Sequence, residues 1–418
     1  MKRVVSVTAV AVFAAGAWAQ DPPKQDPAQA HAKVDQKRVD DAIKNGVKYL
    51  RTVTPGLGKP LGNTGKHPQR NDELVLWTLV HAGVPESDPE FQRLFKNMMA
   101  TDLERTYLVS LQAMILEEMD RVKYQWRIHQ CAQFLVDNLG RNGQWTYGEI
   151  SYYVTEIPVP TGGNGGGADV ATSGGSGSKP PAPRPVDKRG KPKVLKKVTV
   201  KKEKEGPASG DNSNSQYAAL GIRACHDAGV VFPKECLQLA EKWWRAAQYG
   251  TKSDSKDGGY GVTADGEGWC YGPKDSHQPY GSMTAGALGS LVIYDYVLAK
   301  DWRKDKDVLA GLQWITKRFS VTENVGPPEH ADGNVNWMYY YYLYALERAG
   351  ILYGTEKFGE HEWYPEGANV LLDAQKPNGA WTSKEHGNAV WDTCFAILFL
   401  RRATRPLEDV ATGGSGKR

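Results

Sequence analysis

Gln375-Lys376-Pro377-Asn378-Gly379-Ala380-Trp381 joins a segment of helical apolar spacing to a nearly all-apolar one, Asn388-Ala389-Val390-Trp391-Asp392-Thr393-Cys394-Phe395. Glycine permits a tight turn there, and the aromatic ring can stack on the Gln side chain and tie one helix to the next. Asn142-Gly143-Gln144-Trp145 is a second copy that keeps the Gly and the Trp but has Leu139 in place of the Gln, and Asp257-Gly258-Gly259-Tyr260-Gly261 is a third, looser one. Turns of one kind at three places in a chain imply a repeat.

The repeat is a pair of helices, and six copies fit the sequence. The second member of each pair aligns as Asn71-Asp72-Glu73-Leu74-Val75-Leu76-Trp77, Arg105-Thr106-Tyr107-Leu108-Val109, Asn214-Ser215-Gln216-Tyr217-Ala218, Ser282-Met283-Thr284-Ala285-Gly286, Asn336-Trp337-Met338-Tyr339-Tyr340, and the segment after Asn388. Several open on Asn or Ser, which cap a helix N-terminus. These helices are apolar nearly all round and predict burial on most sides. The first members carry a narrower stripe, as in Val39, Ile43, Val47 and Leu50 or Leu237, Ala240, Trp244 and Ala247. Spacings of three and four belong to half-exposed helices. Six half-exposed helices around six buried ones predict an all-α fold, a closed α/α toroid spanning residues 34–406.

Residues 150–210 split the third pair. A Gly/Ser/Asn tract at 161–178 has linker composition, and the Pro/Lys-rich part after it carries too little apolar surface to order itself. Two alternating runs, Tyr152-Tyr153-Val154-Thr155-Glu156-Ile157 and Val194-Leu195-Lys196-Lys197-Val198-Thr199-Val200, predict strands that pair as a hairpin beside the ring. Residues 179–205 hold eleven Lys or Arg against three acids, a local charge of +8 in a chain of net +4, so the rest is mildly acidic. Such a run offers itself to an anionic partner, although it lacks interleaved aromatics and any nucleic-acid recognition fold and otherwise serves as a solvated linker.

Met1-Lys2-Arg3, the apolar run Val4–Ala17 and Ala17-Trp18-Ala19 have the form of a cleavable signal peptide over 1–19. The apolar run is shorter than the roughly 20 residues that span a bilayer, and no later segment is long enough. A polar linker at 20–33 and a frayed tail at 407–418 flank the ring. The protein is therefore expected in the periplasm or outside the cell. Five cysteines, an odd number, leave at least one unpaired; Cys225 and Cys236 either pair with each other or are two buried thiols.

The Gln-x-x-x-Gly-x-Trp turn, placed between helices of a six-fold repeat and joined to the Ser282-Met283-Thr284-Ala285-Gly286 and Trp391-Asp392-Thr393 helix starts, resembles the terpenoid cyclase and protein prenyltransferase superfamily, squalene cyclases in particular. That resemblance implies the toroid. It also implies two roles for Asp392: the proton donor of a triterpene cyclase, although the DxDD motif is missing, or, with Cys394, two ligands of a prenyltransferase zinc site completed by a His. A third role is purely structural, with Asp392 bonded to backbone and Cys394 packed in the core. No His occupies the start of a second inner helix; His277, His330 and His386 fall in loops.

Inner-helix aromatics, among them Tyr217, Trp337, Tyr341 and Tyr344, could line a cavity and hold an apolar or extended guest, or pack against one another. The polar loop 257–281 adds Trp269, Cys270 and His277 near the cavity mouth. The expectation is an exported toroid that binds a ligand or partner without the family's usual catalysis. The alternative is a divergent cyclase-like or zinc-dependent transferase-like enzyme using Asp392 and Cys394. A glycan-degrading α/α barrel shares the shape, but no carboxylate pair in the sequence suits it.

Overall fold

The structure, a computed structural model, describes residues 34–54, 72–160, 185–187, 190–248, 279–326, 338–383 and 388–407. The predicted signal peptide, the tract 161–184, the third turn copy at 257–261 and the tail beyond Leu407 lie outside them. Among the described residues, outer helices α1 (Gln36–Val53), α3 (Pro89–Ala100), α5 (Gln125–Asp137), α7 (Lys234–Ala247), α9 (Lys306–Lys317) and α11 (Trp363–Ala374) alternate with inner ones. All but α5 are half-exposed, whereas α5 has no exposed residue, because residues 196–202 hydrogen-bond along it. The buried set is α2 (Asp72–His81), α4 (Thr106–Asp120), α6 (Asn212–Asp227), α8 (Gly281–Val297), α10 (Tyr339–Tyr353) and α12 (Ala389–Leu400).

Each buried helix packs on the next, α2 on α4, α6, α8, α10 and α12 in turn, and α12 packs back on α2. This closes the ring. The outer helices sit on its outside, with α1 against both α11 and α12 so that the first and last pairs meet. Burial follows the predicted split: Gly281 through Asp295 of α8 are all buried, whereas α1 buries one stripe, Val39, Ala42, Ile43, Gly46, Val47 and Leu50. Asp35, Asp88, Asp211, Asp305 and Asn388 cap their helices by accepting from first-turn backbone N–H groups, each worth about 1 kcal/mol.

The two described turns have one geometry. Trp381 Nε1 donates to Leu371 O and Trp145 Nε1 to Leu135 O, both at 2.8 Å. Their backbone N–H groups donate to hydroxyls on the following inner helix, Thr393 Oγ1 and Ser215 Oγ, both at 3.0 Å. The Gln contribution differs from the stacking expected of it: Gln375 Nε2 donates to Gly379 O at 3.0 Å and to Ala42 O of α1 at 2.9 Å. It thus joins the last pair to the first by hydrogen bonds.

The predicted hairpin does not form. Tyr152–Glu156 is a 3₁₀ helix, and Ser151, Val154 and Ile157 are its buried side. That is a period of three, which the alternating run concealed. The second run contributes β1 (Val198–Thr199), which pairs in parallel with β2 (Val230–Val231), in the register Val198↔Val230 and Thr199↔Val231. Residues 190–210 are also better ordered than composition suggests, because α5 supplies their hydrogen bonds. Gln125 and Gln133 donate to Lys196 O and Lys201 O, and the His129 ring bonds Thr199 O. These three α5 residues are four apart and form one row on the helix surface. Lys202 Nζ then caps the end of α5 at Leu139 O, 2.6 Å away, and Lys191 is buried against Glu117 and Glu118 at 2.8 and 2.9 Å. Lys193, Lys196, Lys197 and Lys201 remain exposed. Cys131, Cys225, Cys236 and Cys394 are buried free thiols, so Cys225 and Cys236 do not pair. No helix of the described residues is long and apolar enough to cross a membrane.

Candidate functional site

Because every inner helix follows an outer one, their N-termini gather at one end of the ring. Tyr107, Tyr217 and Tyr341 stand there, with ring centroids 4.2 Å apart for the first pair and 6.3 Å for the second. Phe395 of α12 lies 5.5 Å from Tyr341 and 5.9 Å from Tyr344, and Trp77 Nε1 donates to Tyr344 OH at 3.1 Å. Tyr217 and Tyr344 are each 1% exposed. These aromatics therefore fill the axis against one another instead of lining an open chamber. Tyr341, Tyr344 and Arg348 fall on one face of α10, at spacings of three and four. Trp337, Trp269 and His277 lie outside the described residues.

Asp392 and Cys394 are two residues apart on α12, about 200° around a helix, and they point to different neighbours. Asp392 accepts from Ser383 N at 2.9 Å and Ser383 Oγ at 3.2 Å, and burial pushes its carboxyl up to about 6. Cys394 packs in the core, hydrogen-bonded to Thr78, and burial pushes its thiol up to about 12. Among the described residues no group of three His, Cys, Asp or Glu side chains could hold a metal.

The opposite end is closed by the segment after α12. Thr404 N and Oγ1 donate to Glu347 at 3.0 and 2.6 Å, Arg405 Nε donates to Glu118 at 2.7 Å, and Arg223 Nη2 donates to Pro406 O at 3.0 Å. A cavity of about 40 Å³ remains under it, between Trp77, Met114, Arg223, Tyr344 and Arg405. A second, of about 10 Å³, lies between α6, α8 and α10. Sequence reasoning passed over Arg348, the charged residue at the centre of the ring; its signal was two adjacent charges, Glu347-Arg348, inside a helix otherwise buried on all sides.

No protein-family model matches the chain, and no curated protein matches it. Among solved structures it is similar to the crystal structure of a possible member of the GH105 family from Salmonella enterica subsp. enterica serovar Paratyphi A. The two share 8% identity at a TM-score of 0.48, over 91% of this chain and 98% of that one. The resemblance to terpenoid cyclases and prenyltransferases gains no support from these comparisons and rests on the repeated turns and the helix starts at Ser282 and Trp391.

Proposed function

We propose that the protein is an exported, non-catalytic toroid that holds an extended ligand, an oligosaccharide or a peptide, across the inner-helix N-termini. The filled axis carries this reading. A cyclase or prenyltransferase encloses an isoprenoid within its ring, and small-molecule sites take about 300 Å³ or more. Two cavities between the described helices are about 10 and 40 Å³, well below that size, and the inner-helix aromatics pack on one another. What is offered instead is the mouth, where Tyr107, Tyr341 and Trp391 are only partly buried. Aromatic side chains there suit sugar rings or peptide groups. The signal-like residues 1–19 support export, and the exposed Lys193, Lys196, Lys197 and Lys201 leave the inserted segment basic for an anionic partner.

One observation favours the second reading, a divergent cyclase-like or transferase-like enzyme of the terpenoid superfamily. Asp392, raised to about 6, keeps a protonated fraction closer to neutral pH than an ordinary carboxyl does, which suits a general acid. Titrating the purified chain with oligosaccharides and peptides, with metal analysis and incubation with squalene and isoprenoid diphosphates alongside, separates the two. The binding reading expects affinity that falls about tenfold on Tyr341→Ala, a typical loss for one aromatic anchor, and no turnover. Stoichiometric zinc lost in Asp392→Ala or Cys394→Ala, or turnover abolished by Asp392→Asn, overturns it.

A further inference from the structure

Arg348 is buried at the axis of the ring, 2% exposed, in the third turn of α10. Its guanidinium carbon lies 4.3 Å from the ring centre of Tyr344, 5.3 Å from that of Tyr217 and 6.0 Å from that of Tyr341. Three aromatic faces offset part of the cost of burying the charge. The remainder calls for an anion, because a buried ion without a counter-charge is strongly unfavourable. Among the described residues Arg348 makes no ion pair. Its neighbour Glu347 turns away to Thr404. Its one hydrogen-bonded partner is neutral: Nη2 donates to Gln216 Oε1 at 3.1 Å.

Two donors are left over. Arg348 Nη1 and Gln216 Nε2 are buried with no hydrogen-bond partner, and Gln216 is itself 2% exposed. Both side chains border the cavity of about 10 Å³, whose far wall is Ala285, Gly286, Gly289 and Ser290 of α8. Ser290 Oγ spends its proton on Gly286 O at 2.8 Å. Gly286 is what allows the arrangement, since a Cβ there would run into the Gln216 amide. A space of this size takes one particle of about the radius of water. Water would satisfy the two N–H groups and leave the charge unanswered.

We propose that this cavity is a halide site, in which one chloride ion accepts from Arg348 Nη1 and Gln216 Nε2 and neutralises the guanidinium between α6, α8 and α10. The ion is then a structural part of the ring centre, and it stabilises the fold by binding the native state alone.

The test uses the full chain in sodium chloride and in sodium gluconate at equal ionic strength. Thermal unfolding is expected to rise by on the order of 2 °C for each tenfold increase in chloride above its dissociation constant, and to stay flat in gluconate. Crystals grown in bromide are expected to show an anomalous peak between Arg348 and Gln216. Gln216→Glu supplies a carboxylate at the same place; it is expected to fold and to lose the chloride dependence, which keeps the test decisive where Arg348→Met fails to fold. Equal unfolding temperatures in the two salts with no bromide peak, meaning that water occupies the cavity, overturn the proposal. So does a chloride dependence that survives in Gln216→Glu.

Discussion

Gly379→Ala and Gly354→Ala separate the two reasons a turn needs glycine. Both residues sit at φ 88°, where an added Cβ costs about 1 kcal/mol from backbone sterics alone. At Gly354, behind α10, that Cβ would meet nothing within 4 Å. At Gly379 it would press on the Asn45 carbonyl of α1, with the carbonyl carbon only 2.8 Å away. The turn must then lift off α1. That strains packing by about 1–3 kcal/mol and releases the Gln375 hydrogen bond to Ala42 O, worth about 1 kcal/mol. Gly354→Ala should therefore cost about 1 kcal/mol and Gly379→Ala about 3–5 kcal/mol by these sums of typical terms. Urea unfolding of the full chain, followed by far-ultraviolet circular dichroism, measures both. Gly143→Ala should cost about 2–4 kcal/mol, because its φ is 90° and its Cβ would press on Leu239 O, while Leu139 leaves no Gln bond to lose. Equal losses at Gly379 and Gly354 would refute the claim that this turn fastens the seam between the last pair and the first.

Burial raises Asp392 to about 6 and Glu347 to about 7. Each carboxyl holds its proton more tightly folded than unfolded, where it ionises near about 4. Its contribution is therefore complete below about pH 4 and lost as pH rises through 6 to 7. Asp392→Asn and Glu347→Gln lack that loss, so their stability relative to the parent should climb between pH 4 and 7 in urea midpoints; a flat difference contradicts the assignment. Hydrogen exchange should show protection of the Val198, Val200, Glu203 and Gly206 amides, which donate to Gly229 O, Val231 O, Asp137 Oδ1 and Leu139 O. Exchange at unstructured rates there would restore the flexible-insert reading. Under non-reducing conditions a thiol reagent should find Cys131, Cys225 and Cys394 inert in the folded chain and reactive after denaturation, because all three are buried and protonated. A Cys225–Cys236 disulfide in peptide maps would contradict the structure.

The ring was legible because its signals are local and periodic. Half-exposed stripes, all-round apolar helices and the Gly-Ala-Trp turn each constrain one pair, and six pairs agree. The insert was misread for the opposite reason: what orders residues 190–210 is a row of partners on α5, Gln125, His129 and Gln133, whose bonds go to backbone carbonyls some 70 residues away. Composition has no access to partners of that kind. The aromatics of the inner helices were recognised as a group, but a sequence cannot say whether Tyr217, Tyr341 and Tyr344 surround space or fill it. Arg348 decides the matter by occupying the centre. Asp392 and Cys394 show the hazard of a short motif on a helix, since residues two apart point to opposite sides.

The contact of α12 with α2, and of α1 with α11, has a consequence for how such a chain can change. An open array of repeats lengthens by duplication, because each end accepts another copy and needs only a polar cap. Here neither end is vacant. A seventh pair would have to widen the whole circle and would empty the centre that Arg348 and its tyrosines fill. Growth is confined to the connections, and the sixty-odd residues inserted between α5 and α6 are where this chain has taken it.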